Sequence, residues 1–508
     1  MRRQETPCNA VIGGWVRMKA LVKKQWKRQH DGTPLYRQIA AFLGAAVKEG
    51  TLKQNYVLPG HRQLAAMFDV GINTVLHAMH LLEQENLIVV SERSRAVVGK
   101  VASCAPDWDT FIDKSAYNSH SEQNFYHISE TRQRCVNLSM GLDKHYYFRN
   151  LFNEVMPHVI IPPVLETSPC GARRLREKLC EYNASLGIKA TPDQVMIVTS
   201  VTHALNIIIM SLLGKKTTLL IAQPSNLLIS NLVRTTGSAI VELAMDEQGI
   251  MPFSLAKALQ KHSGCILFLS PDCNIPTGTI MSYQRRKEIL AICGKHRVPI
   301  VEHTVFPLRC SMSGLPSLKS MDVNNSVIHV SQIGVSASTN PWLGWVIMDE
   351  RLMKKMDVIR FNFDAHQNYM VQLAFLEVLS RNVYDTYLDH ICSVRTERQK
   401  AVAELLDTYL RPYATWNTEN LDACVWLRFK KGICTAELYR EAAEISFQQG
   451  SLFGQPYHAY IYLSPLTVSV NDFEFGLSVL AETAQRIDHK DGIERRERSA
   501  ERLPEEVA

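Results

Sequence analysis

Leu58–Val101, LPGHRQLAAMFDVGINTVLHAMHLLEQENLIVVSERSRAVVGKV, is the stretch from which the rest of the chain is read. From His61 to Phe68, Leu64, Ala65 and Phe68 recur on one helical face. Asp69-Val70-Gly71 breaks the pattern, and Ile72 to Glu83 restarts it with Val75, Ala78, Met79 and Leu82 facing inward. Two short helices joined this tightly must cross steeply, as in a helix-turn-helix. After Asn86 the period becomes strand-like in Leu87-Ile88-Val89-Val90, passes through a charged tip from Ser91 to Arg95, and returns in Ala96-Val97-Val98. The whole stretch predicts a winged helix-turn-helix.

On the amino-terminal side, Leu35, Ile39, Ala40, Leu43 and Val47 repeat at helical spacing between Pro34 and Gly50, a first helix to pack behind the pair. Residues 1–32 form a basic leader, expected to be flexible, in which Arg17, Lys19, Lys23, Lys24, Lys27 and Arg28 surround Trp26, and Met18 offers an alternative start. The charge is uneven: residues 1–102 hold 15 Lys and Arg against 7 Asp and Glu, or +8, while the whole chain carries +6, leaving −2 for the remainder. A positive field concentrated on the winged portion fits a polyanionic partner.

With 508 residues, 46% hydrophobic and 21% charged, the chain has room for two or three folded domains at about 100–200 residues each. No apolar run reaches membrane-spanning length, and the patch from Ala10 to Trp15 is too short for a secretory signal, so a cytoplasmic protein without membrane contact is expected. Twelve scattered cysteines without a C-x-x-C pair or a His/Cys cluster point to reduced thiols and to no metal site.

The winged stretch resembles the GntR family, whose pattern runs LPSxRxLAxxLxVSRxTVxxAxxxLxxEGxL. Leu58, Pro59, Arg62, Leu64, Ala65, Val70, Thr74, Val75, Ala78, Leu82 and Leu87 match it. The resemblance implies that Arg62 holds a backbone phosphate and that Gly71 to His77 enters the major groove of double-stranded DNA. Two positions depart from the pattern: the cap Ser is Gly71 and the Arg after it is Ile72. Asn73, Thr74 and His77 remain as candidate base contacts, and Arg93 and Arg95 stand at the wing tip in place of glycines, within reach of a minor groove.

Residues 33–102 are thus the expected DNA-binding domain, and the aperiodic 103–134 is a linker. Beyond Cys135 short apolar runs alternate with helical stretches. Strands are predicted at 194–198, 218–222, 239–243, 265–269, 299–302 and 327–330, with helices such as 204–213 and 283–295 between them. Such alternation predicts an α/β domain with a mostly parallel sheet covered on both faces. The body spans 135–487, with a large part over about 165–360 and a smaller α+β unit over about 390–487, and the charged 488–508 is expected to be disordered.

The order of these segments resembles the aminotransferase-like domain of the MocR/GabR branch of the GntR family, a fold-type I architecture that binds pyridoxal phosphate. The matching landmarks are GARRLREKL from Gly171 to Leu179, the segment Leu186 to Leu205, Asp246 to Gly249, SPDCNIPTG from Ser270 to Gly278, Arg285-Arg286, Val301-Glu302, Leu343-Gly344 and Gly450 to Phe453. Members of the family are transcription regulators that sense a small molecule through this domain, often as head-to-tail dimers.

Carried over residue by residue, the resemblance places the family's imine-forming lysine on Val335 and a following arginine on Trp342, and no lysine occurs between Lys319 and Lys354. A valine has no nucleophile for the imine. The acid that pairs with the pyridinium nitrogen falls on His303, the aromatic hydroxyl on Phe306, a phosphate-cradle glycine on Ser200 beside Thr202 and His203, and the carboxylate-clamping arginine on Tyr462, while Asn274 is kept. These positions form a degenerate ligand pocket without a catalytic residue. The expected protein is a DNA-binding regulator and homodimer, not an enzyme, bound to the nucleoid when on DNA. It has no covalent cofactor, and its pocket is open to noncovalent pyridoxal phosphate or another effector. Two alternatives stand beside it: a pyridoxal phosphate-dependent aminotransferase-like enzyme or cofactor-sensing regulator, and a protein-interaction module with impaired DNA binding.

Overall fold

A computed structural model of the chain describes residues 18–19, 21–28, 32–90, 95–99, 136–138, 147–161, 168–234, 236–334, 343–363 and 368–500. The chain divides into two compact units, residues 1–118 and 119–508. The division falls within 103–134, which lies outside the described residues.

In the first unit, α1 (Leu35–Lys48), α2 (His61–Phe68) and α3 (Ile72–Gln84) precede two short strands, β1 (Ile88–Val89) and β2 (Val97–Val98). α2 and α3 meet at 108°, the steep crossing that the three-residue break demands. Asp69 makes the turn in the left-handed region, with φ 52°, which the short polar side chain of Asp tolerates better than most. Ile39, Leu43 and Val47 of α1, Leu64 and Phe68 of α2, and Val75, Ala78, Met79 and Leu82 of α3 share one buried core. The wing pairs Ile88 with Val98 and Val89 with Val97. A third segment joins its edge, where Leu58 N–H donates to the Ala96 carbonyl at 2.8 Å. The regular strands are shorter than the apolar runs 87–90 and 96–98, and residues 91–94 lie outside the described residues.

The described part of the leader is not a free tail. Met18 and Val22 are buried in the head's core, and Trp26 stands edge-on to Phe42 at 5.4 Å and Phe68 at 5.0 Å. Met18, Val22 and Trp26 are spaced by four, so they share one helical side, and Lys23, Lys24, Lys27 and Arg28 are left exposed. Residues 1–17 lie outside the described residues.

The second unit opens with β3 (Val136–Asn137) and then builds an eight-stranded sheet. Its strands are β4 (Val195–Val198), β5 (Thr218–Gln223), β6 (Ala239–Asp246), β7 (Gly249–Ile250), β8 (Cys265–Leu269), β9 (Ile300–His303), β10 (Val327–Gln332) and β11 (Gly344–Ile347). They lie in the order β4-β11-β10-β9-β8-β5-β6-β7. Every one of the six predicted strands is present. β5 pairs in parallel with β6 and β8, and β9 with β8 and β10, whereas β11 is antiparallel to both β10 and β4. The carboxyl ends of β4, β5, β8, β9 and β10 therefore open on one edge of the sheet, the edge at which such folds place ligands. Leu219 and Ile221 of β5 pack into one apolar cluster and Leu220 and Ala222 into another, so both faces are covered and the strand reads as a continuous apolar run.

A smaller antiparallel sheet follows, from β12 (Ala414–Trp416), β13 (Val425–Phe429), β15 (Gln448–Gln449) and β16 (Tyr460–Leu463), in the order β12-β13-β16-β15. Its core is shared with the helices Val383–Leu410 and Val470–Ala500. β14 (Ile445–Ser446) pairs in parallel with β3, which ties residues 136–137 to this smaller unit rather than to the large part. Helix Val470–Ala500 carries on through 488–500, so that span is helical and not disordered; its Glu, Arg, Lys and Ala are good helix formers. Residues 501–508 lie outside the described residues.

Candidate functional site

In the head, α3 divides sharply between faces. Val75, Ala78, Met79 and Leu82 are buried, Thr74 is half-buried, and Ile72, Asn73, Leu76 and His77 are exposed. Arg62, the second residue of α2, is exposed as well. The His77 ring stands edge-on to Tyr36 of α1 at 5.7 Å, which limits its swing. Gly71 caps α3 through its backbone alone: φ is −66° and ψ 151°, and its carbonyl accepts from Thr74 N–H at 3.1 Å. A Cβ at Gly71 would meet open space, so glycine there is not a steric requirement. Arg95 is exposed at the base of the wing, and Arg93 lies outside the described residues.

In the body, loops at the carboxyl edge of the sheet carry most of the positions expected for the pocket. Val335 and Trp342 lie outside the described residues. Ser200 follows β4 and caps helix Val201–Leu212, its Oγ accepting from His203 N–H at 3.1 Å. The His203 ring Nδ1 is 2.9 Å from Thr199 Oγ1, and Thr202 is exposed. Asn274, on the loop after β8, donates through Nδ2 to the Pro224 carbonyl at 3.2 Å and to Thr277 Oγ1 at 3.0 Å.

His303 ends β9, buried, with Nδ1 3.3 Å from Ser270 Oγ. Burial, reinforced by the nearby His329, pushes its pKa from 6.5 down to about 4, so the ring is neutral near pH 7. Beside it, Glu302 lies 2.8 Å from His329 Nδ1 and accepts from the backbone N–H groups of Leu318 and Lys319. Burial pushes the Glu302 carboxyl up, but the hydrogen bond and charge of His329 and the two backbone donors outweigh it, and the pKa is lowered. Glu302 therefore serves the interior of the sheet and not the cleft.

Phe306 packs its face under the Arg395 guanidinium at 3.5 Å, and Arg395 is itself paired with Asp422 at 2.6 Å. Tyr462, on β16, is buried with its hydroxyl 3.9 Å from Cys424 Sγ, and Cys424 Sγ is 3.6 Å from Cys273 Sγ. Burial holds the Tyr462 phenol well above its ordinary pKa. Gly278 lets the smaller unit dock here: its φ is +70°, and a Cβ would come within 2.7 Å of the Glu419 carbonyl.

The structure therefore brings Ser270, Asn274 and His303 to one edge and sets Phe306 and Tyr462 into packed surroundings. The residues that sequence reasoning missed are mostly partners. Ser270 opens the SPDCNIPTG landmark, but nothing in its spacing pairs it with a histidine 33 positions away. Asn73 and His77 were legible, since they fall opposite the inward set of α3, whereas Ile72 shares a stripe with Val75 and Met79 and is exposed at the helix start. Among the described residues, no group of three or more His, Cys, Asp or Glu is placed to hold a metal ion, and no single helix is long and apolar enough to cross a membrane.

Comparison with known proteins agrees with this two-part construction. The family described as "Bacterial regulatory proteins, gntR family" matches residues 35–98, and "Aminotransferase class I and II" matches residues 152–303. The uncharacterized HTH-type transcriptional regulator YdfD of Bacillus subtilis is 27% identical over 87% of this chain and 95% of its own length. YisV of the same organism is 26% identical over 91% and 99%. Among solved structures, the multiple substrate aminotransferase of Thermococcus profundus superposes with a TM-score of 0.68 and 20% identity, covering 76% of this chain and all of that one. At that identity the likeness shows the fold of the body. The chain carries a gntR-family winged helix-turn-helix domain followed by an aminotransferase class I and II domain of fold type I, the architecture of the MocR type.

Proposed function

We propose that this chain is a DNA-binding transcription regulator whose body dimerises and takes up a small effector without transaminase chemistry. The observation that carries it is the outward face of α3, where Asn73 and His77 are exposed in a domain matched by the gntR family. Relatives aligned over nearly their whole length bear the name of HTH-type transcriptional regulators. A homodimer presents two heads to paired half-sites and gains affinity by avidity across the linkers. Such a protein acts in the bacterial cytoplasm, at the nucleoid when bound to DNA.

Two features of the body argue against amine chemistry. No lysine lies between Lys319 and Lys354, the segment in which the family resemblance places the imine-forming lysine, at Val335. His303 falls where the family's acid is expected, and an imidazole, neutral or protonated, supplies no negative charge to a pyridinium nitrogen. The residues present do not fit covalently bound pyridoxal phosphate. What they leave is a polar edge at Ser270 and His303 suited to a noncovalent ligand.

Selection from a random duplex library with the full-length protein tests the proposal. Enrichment of paired half-sites, bound about a thousandfold or more over random DNA, is expected. No enrichment at moderate salt contradicts it. Arg62→Ala is expected to weaken binding across all sequences and lower the salt slope by about 1, whereas Asn73→Ala or Thr74→Ala costs about 1–3 kcal/mol at one base position.

A further inference from the structure

We infer that Ile72 and Leu76 read thymine 5-methyl groups in the major groove, so that this head selects A·T-rich half-sites. The inference rests on the DNA-binding function proposed above. Ile72 is 43% exposed and Leu76 42% exposed, while the inward face of α3 is buried. Four residues apart, they lie side by side on one helical face, among the exposed Asn73 and His77.

An isolated exposed leucine is unremarkable on a protein surface. Two branched apolar residues at the start of a groove-entering helix are different, because that face has to meet the edges of bases. Among the groups that distinguish the four base pairs in the major groove, the thymine methyl is the apolar one, and the others are hydrogen-bond donors or acceptors. An aliphatic side chain pressed against guanine or cytosine leaves those atoms desolvated and unpaired, so it discriminates against them. Against thymine the same side chain gains an apolar methyl to bury, which no other base offers it. Ile72 is β-branched and stiff at χ1, so holding it in place costs little side-chain entropy.

Asn73, between the two, has the amide geometry that pairs with adenine N6 and N7, and so favours the same base pairs. The affinity that a charged reading residue would add has another source in this head. Arg62 and the Lys23, Lys24, Lys27 and Arg28 cluster are exposed on the same unit, a positive charge complementary to phosphates. Charge positions the head, and the apolar pair selects the base.

The test uses full-length protein and a selected duplex in which each thymine is replaced singly by deoxyuridine, a change that removes only the methyl. One or two thymines in each half-site are expected to show about fourfold weaker binding on replacement, the worth of one buried methyl group. In Ile72→Ala or Leu76→Ala that sensitivity is expected to vanish at the matching thymine, with thermal unfolding and salt slope unchanged because both side chains are exposed. Selective binding in which uracil is neutral everywhere, or in which the variants keep the uracil effect, overturns the inference and leaves the regulator standing. Absence of any sequence-selective binding, as for a head that docks a protein instead, overturns both.

Discussion

On α3 of the head, Ile72, Asn73, Leu76 and His77 are exposed, as is Arg62 of α2 in the same domain. At the carboxyl edge of the body's sheet the arrangement is reversed. Ser200 caps its own helix, Asn274 is spent on Pro224 and Thr277, Phe306 lies under Arg395, and Tyr462 is buried against Cys424. The same chain has kept one surface outward-facing while side chains at the other have been turned to internal packing. A polar group whose bonds are satisfied within the protein has little left to offer a substrate, so Ser200 and Asn274 serve the body's own structure.

The largest expected effect comes from breaking that internal packing. Arg395 and Asp422 form an ion pair that is almost fully buried, so Arg395→Ala strands a carboxylate and is expected to destabilise the body by about 3–5 kcal/mol. Calorimetry on the full chain should show the body's transition falling while the head's stays; an unmoved body transition breaks the contrast.

A smaller effect follows from His303. Its pKa is about 4 in the folded body against 6.5 ordinarily, so below 6.5 the unfolded chain binds a proton that the folded chain refuses until near pH 4. Stability is therefore complete above pH 6.5 and lost as pH falls, by about 2 kcal/mol at pH 5. His303→Gln should remove that share of the acid-side slope in a series of unfolding midpoints, and a slope identical to wild type means the ring is not held neutral.

The smallest effect sharpens the head. Because Gly71 has open space around its missing Cβ, Gly71→Ser should add a side-chain cap to α3 and raise the head's stability by a few tenths of a kcal/mol. A lower midpoint for the head contradicts the geometry given for that turn.

Much of this fold was legible because its strands are buried on both faces. Thr218 to Ala222 and Cys265 to Leu269 read as unbroken apolar runs between turns, and both are strands. β11 was not legible, since GWVI opens on a glycine, a residue depleted in strands, and has only three strand-forming residues after it. The docking of residues 18–28 was hidden for another reason: Met18, Val22 and Trp26 are diluted by lysines, and a charged stretch reads as solvated until its apolar side is seen packed. In the cleft, the identity of each residue could be read in advance but its partner could not. Ser270 with His303 and Arg395 with Asp422 are long-range pairs, set by strand order and by the docking of the smaller unit rather than by local spacing. In α3 the inward set Val75, Ala78, Met79 and Leu82 followed from the helical period, whereas the exposure of Ile72, which shares a stripe with Val75 and Met79, did not.

The most direct test of the contrast is to incubate the full-length protein with pyridoxal phosphate, reduce with borohydride, and measure intact mass and the modified peptide. The account predicts no stoichiometric adduct at any single lysine. One full equivalent of phosphopyridoxyl group on one lysine of the body would contradict it, because it would place working imine chemistry in a body without a lysine between Lys319 and Lys354.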